Sequence, residues 1–154
     1  LSLVEWDRDS SLADPMCGSG TIPIEAAMMA AQRAPGLLRE RWPFLRWPDF
    51  DTAAWQACRE EARARALPEL PFPIYASDHH AGALDLARKS ARLAGVEDLI
   101  RFTVADLADF AADPPPKTIL LNPPYGERLE AGVDLHPLYR KIGTALRRFP
   151  GRTF

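Results

Sequence analysis

Residues 122–125 read Asn-Pro-Pro-Tyr and come directly after the run TILL at residues 118–121. Proline lacks a backbone N–H and fixes its own φ angle, so two adjacent prolines cannot continue a strand ladder or enter a helix interior. The predicted strand therefore ends at Asn122, and the following segment leaves its carboxyl end as a rigid unit. A side-chain amide followed by a flat aromatic ring predicts a site that holds a planar group.

A polar residue also ends each of the other predicted strands. Asp14, Asp78 and Asp106 stand at those positions, as Asn122 does in the last strand. The carboxyl ends of parallel strands meet at one edge of a sheet, and open α/β sheets bind their ligands at that edge. We therefore expect these four residues to lie around one cleft.

A glycine turn, DPMCGSGT at residues 14–21, joins the first predicted strand to the next helix. Gly18 and Gly20 have no Cβ, which permits a tight turn and the close approach of a ligand. The first N–H groups of the helix lack intrahelical partners. The spacing matches neither Gly-x-Gly-x-x-Gly nor a lysine-containing phosphate loop. An ordinary strand-to-helix turn is the alternative interpretation.

The acids after the second and third strands each have two interpretations. Asp78 could accept both hydroxyls of a ribose, or it could cap the helix predicted to begin near Ala81. Asp106 could accept from the exocyclic amine of an adenine, or it could be a cap or a solvated loop acid. His79 could pack against the adenine edge. No set of cysteines or carboxylates completes a metal site around the adjacent histidines, so no metal is predicted.

The elements that must position these residues alternate between strand and helix. Strands are predicted at residues 10–14, 74–77, 99–106 and 117–122, and residues 152–154 resemble the start of another. Helices are predicted at residues 22–34, 51–66, 81–95 and 135–149, with an irregular, surface-packed segment at residues 37–50. This alternation predicts a parallel, doubly wound α/β sheet.

Composition and charge are those of an ordinary globular protein. The chain has 154 residues, with 19 Lys and Arg against 21 Asp and Glu, and a net charge of −2 does not by itself indicate a nucleic-acid binder. Its two cysteines form no disulfide framework or metal spacing, its first residues are not signal-like, and no run could span a bilayer. We therefore expect a cytoplasmic protein.

Two local groups of basic residues are interpreted as solvated faces, since charge runs usually are. They are Arg39, Arg41 and Arg46, and Arg140, Lys141, Arg147 and Arg148. Three aromatic residues among prolines, Trp42, Phe44 and Trp47, fit packing better than an RNA-stacking surface. Cys17 lies between Met16 and Gly18 and suits a small buried side chain rather than a nucleophile.

Together, DPMCGSGT, YASD, VAD and NPPYGERL resemble the THUMP-associated RNA methylase family, a group of S-adenosylmethionine-dependent methyltransferases with an Asn-Pro-Pro-Tyr motif. The resemblance runs from about Leu12 to about Arg148 and implies a Rossmann-like class I methyltransferase sheet. It implies that Asn122, Pro123, Pro124 and Tyr125 hold the target base. The residues that it assigns to the cofactor are Asp14, Pro15, Cys17, Gly18, Gly20, Thr21, Asp78, His79, Asp106, Leu107 and Asn122.

The resemblance also implies a reaction, which is methyl transfer to the exocyclic N2 amine of a guanine in 23S ribosomal RNA. Adenine-N6 methylation of DNA or RNA, guanine-N2 methylation of tRNA, glutamine methylation of a protein, and a non-catalytic RNA-binding scaffold are the alternatives. The family usually carries a THUMP domain before this domain, and residue 154 falls where a fifth strand would begin. We therefore expect residues 1–154 to be one methyltransferase domain, lacking its last strands, of a longer protein.

Overall fold

The computed structural model describes residues 1, 4–123 and 135–149, and every strand and helix predicted within those residues is present. Short 3-10 turns lie at Pro35–Leu38, Pro43–Arg46 and Glu97–Leu99. The strands and helices are β1 (Leu12–Asp14), α1 (Thr21–Ala30), α2 (Thr52–Arg65), β2 (Ile74–Asp78), α3 (Ala81–Leu93), β3 (Ile100–Val104), β4 (Thr118–Ile119) and α4 (His136–Leu146).

The four strands form one parallel sheet in the order β3-β2-β1-β4. The chain adds β2 and β3 on one side of β1 and then returns to place β4 on the other side. The strand order therefore reverses between β1 and β4, which is the topological switch point at which open α/β sheets bind ligands. The predicted fold class, a Rossmann-like parallel α/β sheet, is confirmed.

Alternate strand residues point to opposite faces of the sheet and build two cores. Leu12, Ile74 and Ile100 pack in one cluster with apolar residues of α1 and α3. Ala13, Tyr75 and Ile119 pack in the other cluster with Phe110, and residues at the end of α4 lie against it. Helices thus cover both faces, as a doubly wound sheet requires.

Most predicted elements are shorter than the sequence indicates, and for two of them the structure shows the local cause. The helix predicted to reach Ala34 ends at Ala30, because Gln32 adopts a left-handed φ of 51° and its N–H bonds back to the carbonyl of Met29. The six-residue strand predicted at residues 117–122 is assigned only as Thr118–Ile119. β4 is short because its neighbour β1 ends at Asp14. The next residue, Pro15, has no N–H that could donate a hydrogen bond to β4. The strand predicted at residues 152–154 lies outside the described residues.

Candidate functional site

One backbone hydrogen bond fixes the glycine turn to β2, and a second closes the turn itself. The N–H of Cys17 donates to the carbonyl of Ser77 at 2.9 Å, and the N–H of Gly20 donates to the carbonyl of Cys17 at 2.8 Å. Gly20 has a φ of 84°, and an added Cβ would lie 2.8 Å from the Cβ of Ala87 on α3. Only glycine therefore allows this conformation together with the close approach of α1 to α3.

The space beside Gly18 is open, in contrast to that beside Gly20. Gly18 also has a left-handed φ, of 53°, but an added Cβ would meet no heavy atom within 4 Å. A ligand can therefore reach the backbone of the turn at Gly18 without meeting a side chain. Thr21, which begins α1 directly after the turn, is exposed.

Asp78 ends β2 with its carboxylate turned toward the glycine turn. One oxygen accepts from the N–H of Gly18 at 2.9 Å, and the other accepts from the N–H of His80 at 2.9 Å. The residue is only 8% exposed. The interpretation of Asp78 as a helix cap is wrong, because the Nδ1 of His80 caps α3 by accepting from the N–H of Ala83 at 3.1 Å.

Asp14 ends β1 and is buried next to the same turn. Its Oδ1 accepts from the N–H of Met16 at 3.1 Å, and Pro15 beside it is also buried. Burial, together with the negative charge of Asp78, raises the pKa of the Asp14 carboxyl to about 7. Two carboxylates thus share the buried rim of the turn.

Replacement of Asp14 by asparagine should stabilise the folded protein more at high pH than at low pH. A carboxyl whose pKa rises from 3.8 to about 7 on folding loses its stabilising contribution as pH increases between those values. Asparagine does not ionise, so the free energy of unfolding of the variant does not fall with pH for this reason. Urea unfolding at about pH 5 and about pH 8 measures the difference. A stability difference that is equal at both pH values would contradict the assignment, and Asp109→Asn is the exposed control.

Cys17 lies in the environment of a structural rather than a reactive cysteine. Burial raises the pKa of its thiol to about 12, and the charges of Asp14 and Asp78 act in the same direction. A thiol with this pKa stays protonated at neutral pH and is unreactive. Its small side chain instead packs in the core beneath the turn.

The loop after β3 is held in place by α4. Asp106 accepts from the N–H of Ala108 at 2.8 Å through one oxygen, and its other oxygen lies 2.6 Å from the Nζ of Lys141. This hydrogen bond from Lys141 lowers the pKa of Asp106. Leu107 is buried against Ile142 of α4.

Arg148, just beyond α4, completes this attachment. Its Nη2 donates to the carbonyls of Leu107 and Phe110, both at 3.1 Å. The interpretation of the second basic group as a purely solvated face is therefore wrong for Lys141 and Arg148. Their partners lie 35 and more residues earlier in the chain, and local charge spacing carries no signal for such contacts.

Asn122 lies at the same edge of the sheet as Asp14. Ala13 pairs with Ile119, and the N–H of Leu120 donates to the carbonyl of Ala13 at 2.9 Å. Asp14 is thus level with Leu120, and Asn122 follows two residues later, with its side chain exposed. Pro123 is half-buried, whereas Pro124 and Tyr125 lie outside the described residues.

Asp14, Asp78, Asp106 and Asn122 therefore all stand at the carboxyl edge of the sheet, as their positions in the sequence predict. His79 joins them with a 73% exposed side chain whose Nδ1 is 3.4 Å from an oxygen of Asp78. In the part of the chain that the structure describes, no group of three or more His, Cys, Asp or Glu could hold a metal ion. No helix among the same residues is long and apolar enough to cross a bilayer.

The strand order of this parallel sheet reverses next to a glycine turn and a buried carboxylate. These features are typical of α/β domains that bind nucleotide-like cofactors. The chain belongs to the UPF0020 family of RMKL-like methyltransferase domains, whose sequence profile matches residues 1–153.

Solved structures agree with this membership. A possible methylase from Clostridium difficile 630 is 40% identical over 91% of this chain, with a TM-score of 0.80. The predicted methyltransferase SMU.472, complexed with SAH, is 34% identical over 98% of this chain, with a TM-score of 0.87. A predicted N6-adenine-specific DNA methylase from Listeria monocytogenes str. 4b F2365 is 37% identical over 98%, with a TM-score of 0.82. The matched region spans 37% of the first of these chains and 40% of each of the other two.

Proposed function

We propose that this domain transfers a methyl group from S-adenosylmethionine to the exocyclic N2 amine of a guanine in 23S ribosomal RNA. Residues 1–154 would form the methyltransferase domain of a longer cytoplasmic protein that also carries a THUMP domain. The observation that carries the proposal is the position of the buried Asp78 carboxylate, which holds the glycine turn at the same sheet edge as Asn122.

The residues at this edge fit S-adenosylmethionine. The turn is open above Gly18, and the backbone there can approach the amino-acid end of the cofactor. Asp78 already has one protein partner on each carboxylate oxygen, and each oxygen has a second lone pair for a ribose hydroxyl. The SAH complex of SMU.472, 34% identical to this chain, supports the same cofactor here.

The cofactor's parts map onto consecutive parts of the edge. Asp14, Pro15, Cys17, Gly18, Gly20 and Thr21 would line its amino-acid end. Asp78 would take the ribose, and His79, Asp106 and Leu107 would frame the adenine. Asp106 suits this role because Ala108 and Lys141 each use only one lone pair of its two oxygens, which leaves capacity to accept from the adenine amine.

Replacement of Arg148 by methionine should weaken SAH binding about tenfold. The two carbonyls that Arg148 now holds would lose their charge-assisted hydrogen bonds, typically worth about 1.5–3 kcal/mol, and the loop at residues 106–110 would loosen. Isothermal titration with SAH measures the effect. Arg147→Met is the matched control, because among the described residues the Arg147 side chain donates only to the exposed Thr144 hydroxyl. Equal affinities in the two variants would contradict the anchoring role.

Asn122 and the motif that it begins would activate the target amine. The lone pair of a guanine amine is delocalised into the ring, so the amine is a weak nucleophile. The side-chain oxygen of Asn122 and the carbonyl of Pro123 would each accept one amine N–H and direct the lone pair toward the methyl group. Proline fixes the direction of that carbonyl. Tyr125 would stack on the base, and Pro124 would keep the segment rigid.

The cofactor supplies an activated methyl group on its sulfonium, so the protein's contribution is proximity and orientation. The two N–H groups of the amine would keep their hydrogen bonds to the Asn122 and Pro123 oxygens during transfer, and the methylated nitrogen would lose one proton to solvent afterwards. No strong base is then required. A base inside a duplex cannot reach this edge, so the substrate must be single-stranded or have its base flipped out.

The test is methyl transfer from labelled S-adenosylmethionine to total RNA, genomic DNA and total protein isolated from cells that lack the protein. We expect label in 23S ribosomal RNA, recovered after digestion as N2-methylguanosine. Ribosomal RNA from wild-type cells is the control, since its site is already methylated. Label that appears only in tRNA, DNA or protein, or no label in any of them, would contradict the proposed substrate.

Adenine-N6 methylation is a second candidate, favoured by one observation. The Listeria monocytogenes structure described as a predicted N6-adenine-specific DNA methylase is 37% identical over 98% of this chain. Adenine carries an exocyclic amine with the same two N–H groups, so the Asn122 and Pro123 acceptors would serve either base. The nucleoside recovered from the labelling reaction, N6-methyladenosine or N2-methylguanosine, distinguishes the two.

A further inference from the structure

The segment between α1 and α2 is organised around one aromatic side chain. Phe44 is half-buried and contacts four other rings, at centroid distances of 5.2–6.4 Å. These rings belong to Trp42, Trp47, Phe50 and Trp55. The cluster fixes a segment whose regular structure is otherwise limited to two short 3-10 turns.

The two tryptophans that flank Phe44 in the chain are in different environments. Trp42 stacks on Phe44 with an interplanar angle of 22°, and the guanidinium of Arg39 lies 4.8 Å from its ring centroid. Trp47 contacts Phe44 at an angle of 66° and is 68% exposed. The cluster therefore uses Trp42 for packing but leaves a large part of the Trp47 ring open to a ligand.

Cationic side chains lie in the same segment as Trp47. Residues 39–47 contain three arginines and one glutamate, in a chain whose net charge is −2. Among the described residues, no carboxylate forms an ion pair with Arg41 or Arg46. Both arginines line a surface cavity of about 510 Å³, together with Arg39, Trp42, Pro43 and Leu45.

We propose that this arginine–tryptophan surface, formed by Arg41, Arg46 and Trp47, binds single-stranded RNA. Two guanidiniums without an ion-pair partner among the described residues can bind phosphates, and the open indole in the same segment can stack on an unstacked base of a single strand. A duplex hides its base faces, so Trp47 would find no partner there. RNA is chosen as the ligand because the proposed function is RNA methylation, so the inference rests on that function. The RNA contact that it assigns lies outside the methyl-transfer site.

Fluorescence anisotropy with a labelled single-stranded RNA of about 12 nucleotides tests the surface, without cofactor and at several salt concentrations. Trp47→Ala should weaken binding about 5- to 100-fold, whereas Trp47→Phe should retain most of the affinity. The double variant Arg41→Ala/Arg46→Ala should reduce the slope of log affinity against log salt by about 1.4, which is about 0.7 for each phosphate lost.

Matched controls come from exposed residues elsewhere. Leu93→Ala removes an 82% exposed apolar side chain on α3, and Arg63→Ala removes an exposed charge on α2. Both should bind RNA as the wild type does, and thermal unfolding verifies that all variants fold. Unchanged RNA affinity in the Trp47 and double arginine variants, equal losses in the controls, or an equal loss of duplex binding in Trp47→Ala would each overturn the proposal.

Failure of this surface is distinguishable from failure of the proposed function. If the Trp47→Ala variant methylates RNA with an unchanged KM, the surface is not a substrate contact although the transfer reaction stands. If the wild type binds RNA through this surface but transfers no methyl group, the reaction is wrong although the surface stands.

Discussion

Replacement of Asn122 by alanine is expected to lower kcat for methyl transfer on the order of 10²- to 10³-fold, with the SAH dissociation constant within about twofold of the wild type. The variant keeps the glycine turn and Asp78, which would bind the cofactor. It removes one of the two oxygens that would orient the target amine, so the lone pair would no longer be aimed at the methyl group. Single-turnover transfer and isothermal titration separate the two effects.

Asn122→Asp provides the matched control for this prediction. It keeps an acceptor oxygen at nearly the same place, so it should lose less activity than the alanine variant. Because the Asn122 side chain is exposed at the sheet edge, neither substitution should change thermal unfolding appreciably. An alanine variant that transfers methyl groups within about threefold of the wild-type rate would show that Asn122 does not orient the amine.

Replacement of Asp78 by alanine is expected to raise the dissociation constant of SAH on the order of 10²-fold. The buried carboxylate accepts from Gly18 and His80, and two charge-assisted hydrogen bonds of about 1.5–3 kcal/mol each depend on it. Their loss would release the turn, and the ribose would lose its acceptor as well. Asp85→Ala, which removes an exposed carboxylate from α3, should bind SAH normally.

A cofactor analogue separates the support of the turn from the contact with the ribose. The wild type should bind SAH more tightly than 2′-deoxy-SAH, because Asp78 would accept from the hydroxyl that the analogue lacks. The Asp78→Ala variant should bind both compounds equally weakly. If the variant still prefers SAH by the wild-type ratio, Asp78 supports the turn but does not contact the ribose.

The sheet and its functional edge could be predicted because the signals are local. Each strand is an apolar or alternating run ended by an acid or an amide, and each is separated from the next by a helical pattern. In a parallel sheet those polar residues must meet at one edge, which is where Asp14, Asp78 and Asn122 lie. The glycine turn is equally local, since its two left-handed residues are both glycine.

Other features depend on contacts between distant parts of the chain. Asp78 is a better helix cap than histidine by propensity, but β2 continues through Asp78 because it pairs with Val104 of β3. The helix can begin only after the strand ends, so His80 takes the cap. Gln32 likewise ends α1 in a left-handed conformation without the glycine that usually signals one.

The attachment of the 106–110 loop by α4 is a further case. Lys141 and Arg148 belong to a basic run whose spacing predicts a solvated face. In the structure, Lys141 pairs with Asp106, and Arg148 donates to two backbone carbonyls. In the sequence, α4 follows the proposed base-binding segment, and in the structure it holds the loop proposed to frame the adenine.

A crystal structure of the protein with SAH tests the central claim most directly. We predict that the ribose hydroxyls lie within hydrogen-bond distance of the Asp78 carboxylate, the adenine lies beside Asp106 and Leu107, and the sulfur faces the side-chain oxygen of Asn122. SAH bound away from the glycine turn, or an Asn122 side chain directed away from the sulfur, would contradict the proposed mechanism of methyl transfer.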